Sequence, residues 1–282
     1  MVLTIHRLNE NDIPSLVELP RQAGWDYDEA EMKAVLASGI VYGHKTLEGT
    51  VVSSSAVVSY KETAALGLVI VRKDYRRRGL AREAVQACLD ILPADTGVML
   101  FATDEGKPLY RELGFEEAGR VYKYIAQGQE MKKNSTALPN NIEGYKVSDW
   151  ESVKHLDREA FGEGRDVFLH HRLHQAHQCL VLKDDQNHPA GFGLSIWNED
   201  QLLIGPVTAP DEREAAALIE QLIEAHSVKV RIDLTAESRI ITSMLEQYGF
   251  EKHSEPPMMK RGPWNADTRN RGLYAIASQI FG

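Results

Sequence analysis

The chain has 282 residues, 26% of them charged, with a formal net charge of -9 and a sequence pI of about 5.6. That length suits two domains, and an acidic balance without a basic domain or stripe argues against a dedicated nucleic-acid binder. Only two cysteines, no signal-peptide pattern in MVLTIHRLNENDI and no apolar run of membrane-spanning length lead us to expect a cytoplasmic protein without a membrane partner.

In chain order, the first apolar strand is ALGLVIV, Ala65 to Val71. The basic loop RRRGLA follows, and then a helix. Ala81, Ala84, Val85, Cys88, Leu89 and Leu92 recur at helical spacing and form one apolar face, so Cys88 reads as a core residue rather than a catalytic thiol. Pro93 closes the helix. A strand, VMLFAT, and the segment LYRELGFEE come next. The polar stretch from Ala126 to Gly144, with Pro139 inside it, shows no periodicity and reads as a linker.

The second half repeats the order: LLIGPV, then DEREAAALIEQLIEA, VKVRIDL and MLEQYGFEK. Gly67 to Gly114 spans 47 positions and Gly205 to Gly249 spans 44, which argues for an internal repeat. The boundaries expected are 1–128 for a first domain, 129–141 for the linker and 142–282 for a second domain. Each half should be an α/β unit with helices on the faces of a mixed or parallel sheet.

RRRGLA lies between a strand and a helix start, where the first N–H groups of the helix have no internal acceptor and the helix dipole favours an anion. Gly79 lets a phosphate approach the backbone, and arginines supply charge-assisted hydrogen bonds. From the residues alone, a solvated basic turn is an equal reading.

The wider context separates the two. R-x-x-G-x-A at Arg76, Gly79 and Ala81, FATDEGKPLYRELGF with Tyr110 four residues before Gly114, and AGWDYDEAEM upstream together resemble the GNAT superfamily of N-acetyltransferases. The resemblance covers residues 1–125 and implies tandem GNAT-type folds, each a mixed central sheet flanked by helices. It implies acetyl-CoA as co-substrate, with Val69, Ile70 and Val71 pairing with the pantetheine arm. Arg76, Arg77, Arg78, Gly79, Leu80 and Ala81 would hold the pyrophosphate, with no metal. Tyr110 would donate a hydrogen bond to the leaving thiolate.

An amine of lysine type is neutral in only about one molecule in a few thousand at pH 7, so a general base should help. Asp26 is the candidate, ahead of Glu62 and Asp28, because Trp25 and Tyr27 beside it could line an acceptor pocket. The acceptor expected is a small-molecule or peptide amine.

The second half lacks the Arg-x-x-Gly-x-Ala loop and has Leu245 where the first has Tyr110. It resembles a degenerate GNAT-like domain attached to bacterial GNAT proteins, suited to capping substrate or to forming a homo-oligomer. His170, His174 and His177 read as one polar side of a helix rather than a metal site. The alternative function is a catalytically weak acyl-CoA sensor or interaction module.

Overall fold

The computed structural model describes residues 3–25, 27–128, 141–198, 200–223, 228–263 and 272–282. Asp26 and residues 129–140 of the expected linker lie outside them. The ends of the stretch read as linker are instead strand: Ala126 and Gln127 pair with Val230 and Lys229, and Ile142–Gly144 pair with Leu182–Leu180. The first half runs β1 (Thr4–Leu8), α1 (Ile13–Gln22), α2 (Glu29–Ser38), β2 (Ile40–Lys45), β3 (Ser53–Ser59), β4 (Thr63–Val71), α3 (Leu80–Asp90), β5 (Gly97–Phe101), α4 (Lys107–Glu112), β6 (Glu116–Arg120) and β7 (Tyr122–Gln127). The second runs β8 (Ile142–Gly144), α5 (Trp150–Phe161), α6 (Asp166–Gln175), β9 (Ala176–Lys183), β10 (Pro189–Asn198), β11 (Gln201–Thr208), α7 (Glu212–Ile223), β12 (Lys229–Leu234), α8 (Arg239–Gln247), β13 (Glu251–Ser254), β14 (Pro257–Arg261) and β15 (Leu273–Ile276).

Two compact units result. The first comprises the described residues of Met1–Ala118, Met258–Trp264 and Gln279–Gly282; the second comprises those of Gly119–Pro257 and Asn265–Ser278. The units therefore cross the boundaries drawn from the sequence. The first sheet has the order β1-β2-β3-β4-β5-β14-β6, and the second β13-β7-β12-β15-β11-β10-β9-β8. In the repeat, β7 and β14 are equivalent last strands, and each is built into the sheet of the other half. Met258 to Arg261 pair antiparallel with Phe101 to Val98. Tyr122 to Gln127 pair with Leu234 to Lys229.

Both sheets are mixed: β4–β5 and β11–β12 are parallel, and the other registered pairs are antiparallel. In the first unit α3 covers one face. Val85, Cys88 and Leu89 pack there with Val57, Ala64, Leu66, Val98 and Leu100. Leu80, at the first helical position, is buried while Ala81 is only half-buried, so the apolar stripe starts one residue earlier than the periodicity suggests. In the second unit α7 and α8 cover the corresponding face, with Leu218, Leu222, Ile241 and Leu245 against Ile204, Val230 and Ile232. Burial of such side chains stabilises by about 1.5–3 kcal/mol each, so each unit has a core of its own.

The histidine run departs from expectation. His170 and His174 share α6 and approach Nε2 to Nε2 at 3.0 Å, but His177 lies in β9. The helix stops at Gln175 because Ala176 already pairs with Ile196 of β10. Among the described residues no helix is long and apolar enough to cross a membrane.

Candidate active site

The site grows out of a parting of two strands. β4 and β5 are in parallel register only over Thr63–Ala65 and Gly97–Met99. Beyond Ala65, β4 continues to Val71 with ladder partners on its β3 side alone among the described residues. Parallel partners that separate leave a row of backbone N–H and C=O groups facing a gap. Val69, Ile70 and Val71 lie on that stretch, Ile70 buried and its two neighbours half-buried.

A bulge turns the strand at this point. Leu68 has a φ of 53°, and the β3–β4 register shifts between Ser54 and Ala56. A leucine in the left-handed region costs of order 1–3 kcal/mol and persists only where its surroundings hold it. Ser54 supplies part of that hold by donating its hydroxyl to the Leu68 carbonyl at 2.7 Å. No residue pattern announced this bulge, because leucine carries no turn signal.

At the end of β4 the chain makes a short 3₁₀ turn and enters α3. Gly79 is the N-cap, with φ 81°, and no side chain caps the helix. The first helical bond runs from the Glu83 N–H to the Gly79 carbonyl at 3.1 Å. The N–H groups of Leu80, Ala81 and Arg82 precede it and have no acceptor within the helix. A side chain on Gly79 would meet nothing closer than the Glu83 Oε1, 3.8 Å from the Cβ position. The glycine therefore keeps both the left-handed turn and the space in front of the helix.

The arginines divide their work. Arg72 chelates Asp74 with two bonds of 2.8 Å and lies over the Tyr75 ring, which Arg78 covers too. The Arg72 guanidinium holds the exposed Asp74 carboxyl below its ordinary range. Arg78 donates to the Asp74 carbonyl at 3.2 Å, and Arg76 donates from Nε to the Val71 carbonyl at 3.2 Å. Arg77, exposed and with φ 63°, has no ion-pair partner among the described residues. The loop is thus braced by its own arginines and presents Arg77 to solvent.

Tyr110 stands on α4 in the α3-side core, its ring edge-on to Phe115 at 6.0 Å between centroids. Burial pushes its phenol well above the ordinary tyrosine value, and its hydroxyl makes no hydrogen bond among the described residues. A phenol in this setting keeps its proton and has it free to offer. Of the residues expected to line an acceptor pocket, Trp25 and Tyr27 are half-buried with ring centroids 6.4 Å apart. Asp28 is used locally: its carboxylate accepts the Glu31 N–H at 2.7 Å and caps α2. Glu62 lies exposed in the turn before β4.

Sequence reading also missed a buried polar row. Consecutive serines on β3 each bond inward: Ser53 meets the His44 ring, Ser54 the Leu68 carbonyl, and Ser55 receives the Cys88 thiol. The only signal was the triplet itself, followed by apolar Ala56, Val57 and Val58.

The second unit closes every corresponding feature. β11 and β12 run parallel over Gln201–Ile204 and Lys229–Ile232, and β15 then enters between them. Ala275 pairs with Val207 on one side and Leu234 on the other. A Cβ on Gly205 would collide with the Ile276 carbonyl, so the inserted strand sits in direct contact with β11. At the start of α7 the Asp211 carboxylate accepts the N–H groups of Arg213 and Glu214 at 2.8 and 2.9 Å. Leu245, in the place of Tyr110, is wholly buried.

Comparison with known proteins agrees with this geometry. Residues 11–115 match the "Acetyltransferase (GNAT) family" and residues 153–275 match an "Acetyltransferase (GNAT) domain". An uncharacterized N-acetyltransferase, YitH of Bacillus subtilis, is 32% identical over 280 residues, covering 98% of this chain and 97% of that protein. A putative acetyltransferase from Pyrococcus horikoshii shares the fold with a TM-score of 0.79 at 20% identity, over 99% of this chain and 96% of that one. A tandem GNAT protein from the clavulanic acid biosynthesis pathway does so at 0.67 and 14% identity, over 94% and 100%. The chain belongs to the GNAT family of N-acetyltransferases and carries two of its domains in tandem.

Proposed function

We propose that the first unit transfers an acetyl group from acetyl-CoA to the amine of a small-molecule or peptide acceptor in the cytoplasm, and that the second unit binds no coenzyme. The observation that carries this reading is the contrast at the parted strands. Beyond Ala65, β4 has no ladder partner on its β5 side among the described residues, Ile280 packing against Gly67, and this stretch adjoins an uncapped helix start. Val69, Ile70 and Val71 would hydrogen-bond the pantetheine arm. Arg76, Arg77, Arg78 and the backbone from Gly79 to Ala81 would hold the pyrophosphate, where helix N–H groups and the dipole favour negative charge. The donor set fits: it is all N–H and guanidinium, as a phosphate requires.

Acetyl-CoA supplies an activated acyl carbon, which the neutral acceptor nitrogen attacks. Tyr110 then offers its O–H to the sulfur as negative charge develops there. A thiol has a pKa of about 8.5, below even an unperturbed tyrosine near 10. Burial raises Tyr110 further, so donating a hydrogen bond is favoured over surrendering the proton. Asp26 remains the base we assign, with Trp25 and Tyr27 lining the acceptor side.

The test is direct. Incubation with acetyl-CoA and a panel of amines, followed by thiol release, should give acceptor-dependent turnover. Tight coenzyme binding with no turnover on any amine would favour an acyl-CoA sensor.

A further inference from the structure

One chain of buried hydrogen bonds next to the coenzyme cradle is unused by this mechanism. His44, on β2, is completely enclosed. Its backbone N–H donates to Ser53 Oγ at 3.1 Å, its Nδ1 lies 2.7 Å from the same oxygen, and its Nε2 lies 3.0 Å from Glu83 Oε2. Because Ser53 Oγ already accepts the backbone N–H, its own hydrogen can go to Nδ1. That leaves the Nε2–H to donate to Glu83. Every polar atom in the row is then satisfied.

The far end of this row is where it matters. Glu83 is the one acid in the first turn of α3, and its side chain is 60% exposed. Its second oxygen reaches to within 3.8 Å of the Cβ position of Gly79. A carboxylate at a helix start competes for the free N–H groups and for the positive end of the dipole. Asp211 shows the outcome in this same molecule, where it takes two N–H groups of α7. Arg82, the nearest cation on α3, is paired with Glu112 and is not available to restrain Glu83.

We infer that Glu83 is an internal competitor for the phosphate cradle and that His44 is the positioning residue that holds it back against the sheet. The inference rests on the cradle assignment made above. His44 touches neither coenzyme nor acceptor; it acts through one carboxylate. With the imidazole in place, one Glu83 oxygen is committed to Nε2 and the cradle stays open to phosphate. Without it, the carboxylate is free to swing onto the N–H groups of Leu80 and Ala81.

The experiment is a mutant cycle on the full chain, with affinities for acetyl-CoA and, separately, inorganic pyrophosphate measured by calorimetry. His44→Ala should weaken both ligands about tenfold, the scale of one charge at a helix start. Glu83→Gln should tighten both a few-fold. The double variant should match Glu83→Gln, because removing the competitor makes its restraint unnecessary. Should it stay as weak as His44→Ala, the imidazole serves only packing and the inference is overturned. Glu83→Gln binding no tighter than wild type overturns it as well. Wild type that binds neither ligand refutes the cradle assignment itself, and the inference with it.

Discussion

Up to β14 the two halves carry the same elements in the same order, the second then adding β15, yet three features of one unit are replaced in the other. Where β4 leaves β5, the first unit has a strand edge without a ladder partner among the described residues; where β11 leaves β12, the second has β15 bonded to both. The start of α3 is uncapped and glycine-led, whereas Asp211 caps α7. Tyr110 presents a hydroxyl, and Leu245 an apolar branch. The second unit has not merely lost coenzyme-binding residues. It has filled each position with its own groups: a strand, a helix cap and an apolar side chain.

The largest effect that bears on this contrast is at Gly79. Gly79→Glu should lower acetyl-CoA affinity by more than about a hundredfold, since it places charge and bulk against the N–H groups. Gly79→Ala is the control: it shares the left-handed strain of roughly 1 kcal/mol without the charge. Equal losses in the two variants, read by calorimetry beside circular dichroism, would mean the backbone rather than the anion site was damaged.

Next comes Tyr110→Phe. The fall expected in kcat is about 10²-fold, the lower range for losing one hydrogen-bond donor to developing negative charge, with coenzyme affinity unchanged. If kcat holds, the phenol is packing only, and the contrast with Leu245 loses its chemical meaning.

Ionisation of a buried thiol gives a third test. Burial pushes Cys88 up to about 11, despite the Ser55 bond that works in the opposite direction. A thiol with a raised folded pKa contributes stability that is present below its unfolded pKa near 9 and lost as the pH rises towards 11. A rise of that size is worth about 2–3 kcal/mol. Denaturant titrations from about pH 8 to 11 should show that loss, and Cys88→Ala should flatten it. An equally steep loss in the variant would assign it to another group.

The smallest effect belongs to the closed unit. Asp211→Ala should lower stability by about 1 kcal/mol, the usual worth of a helix cap. It should not raise coenzyme stoichiometry above one per chain, because β15 still fills the gap. A second equivalent of acetyl-CoA bound by this variant would show that the cap alone closes the site.

Much of this was legible in the residues. The strand–loop–helix order and the buried face with Cys88 follow from local periodicity, and the second half visibly lacks the Arg-x-x-Gly-x-Ala loop. The pairing of β7 and β14 was not. Nothing in the residues marks Tyr122–Gln127 as a strand, its last two residues reading as linker, and because the two halves repeat each other, either last strand suits either sheet. The bulge at Leu68, the link from His44 to Glu83 and the insertion of β15 are likewise set by partners distant in sequence. Even a correct order of elements leaves them open.

The exchange of last strands has a consequence for how the protein is made. The β5 edge, complete as sequence once residue 101 is synthesised, waits for residues 258–261 before its ladder can form. β6 joins the sheet only through that late strand. Long-range pairing of this kind slows folding, because the intervening chain must be ordered first. During synthesis the first sheet is therefore left with an unfinished margin until residues 258–261 have emerged.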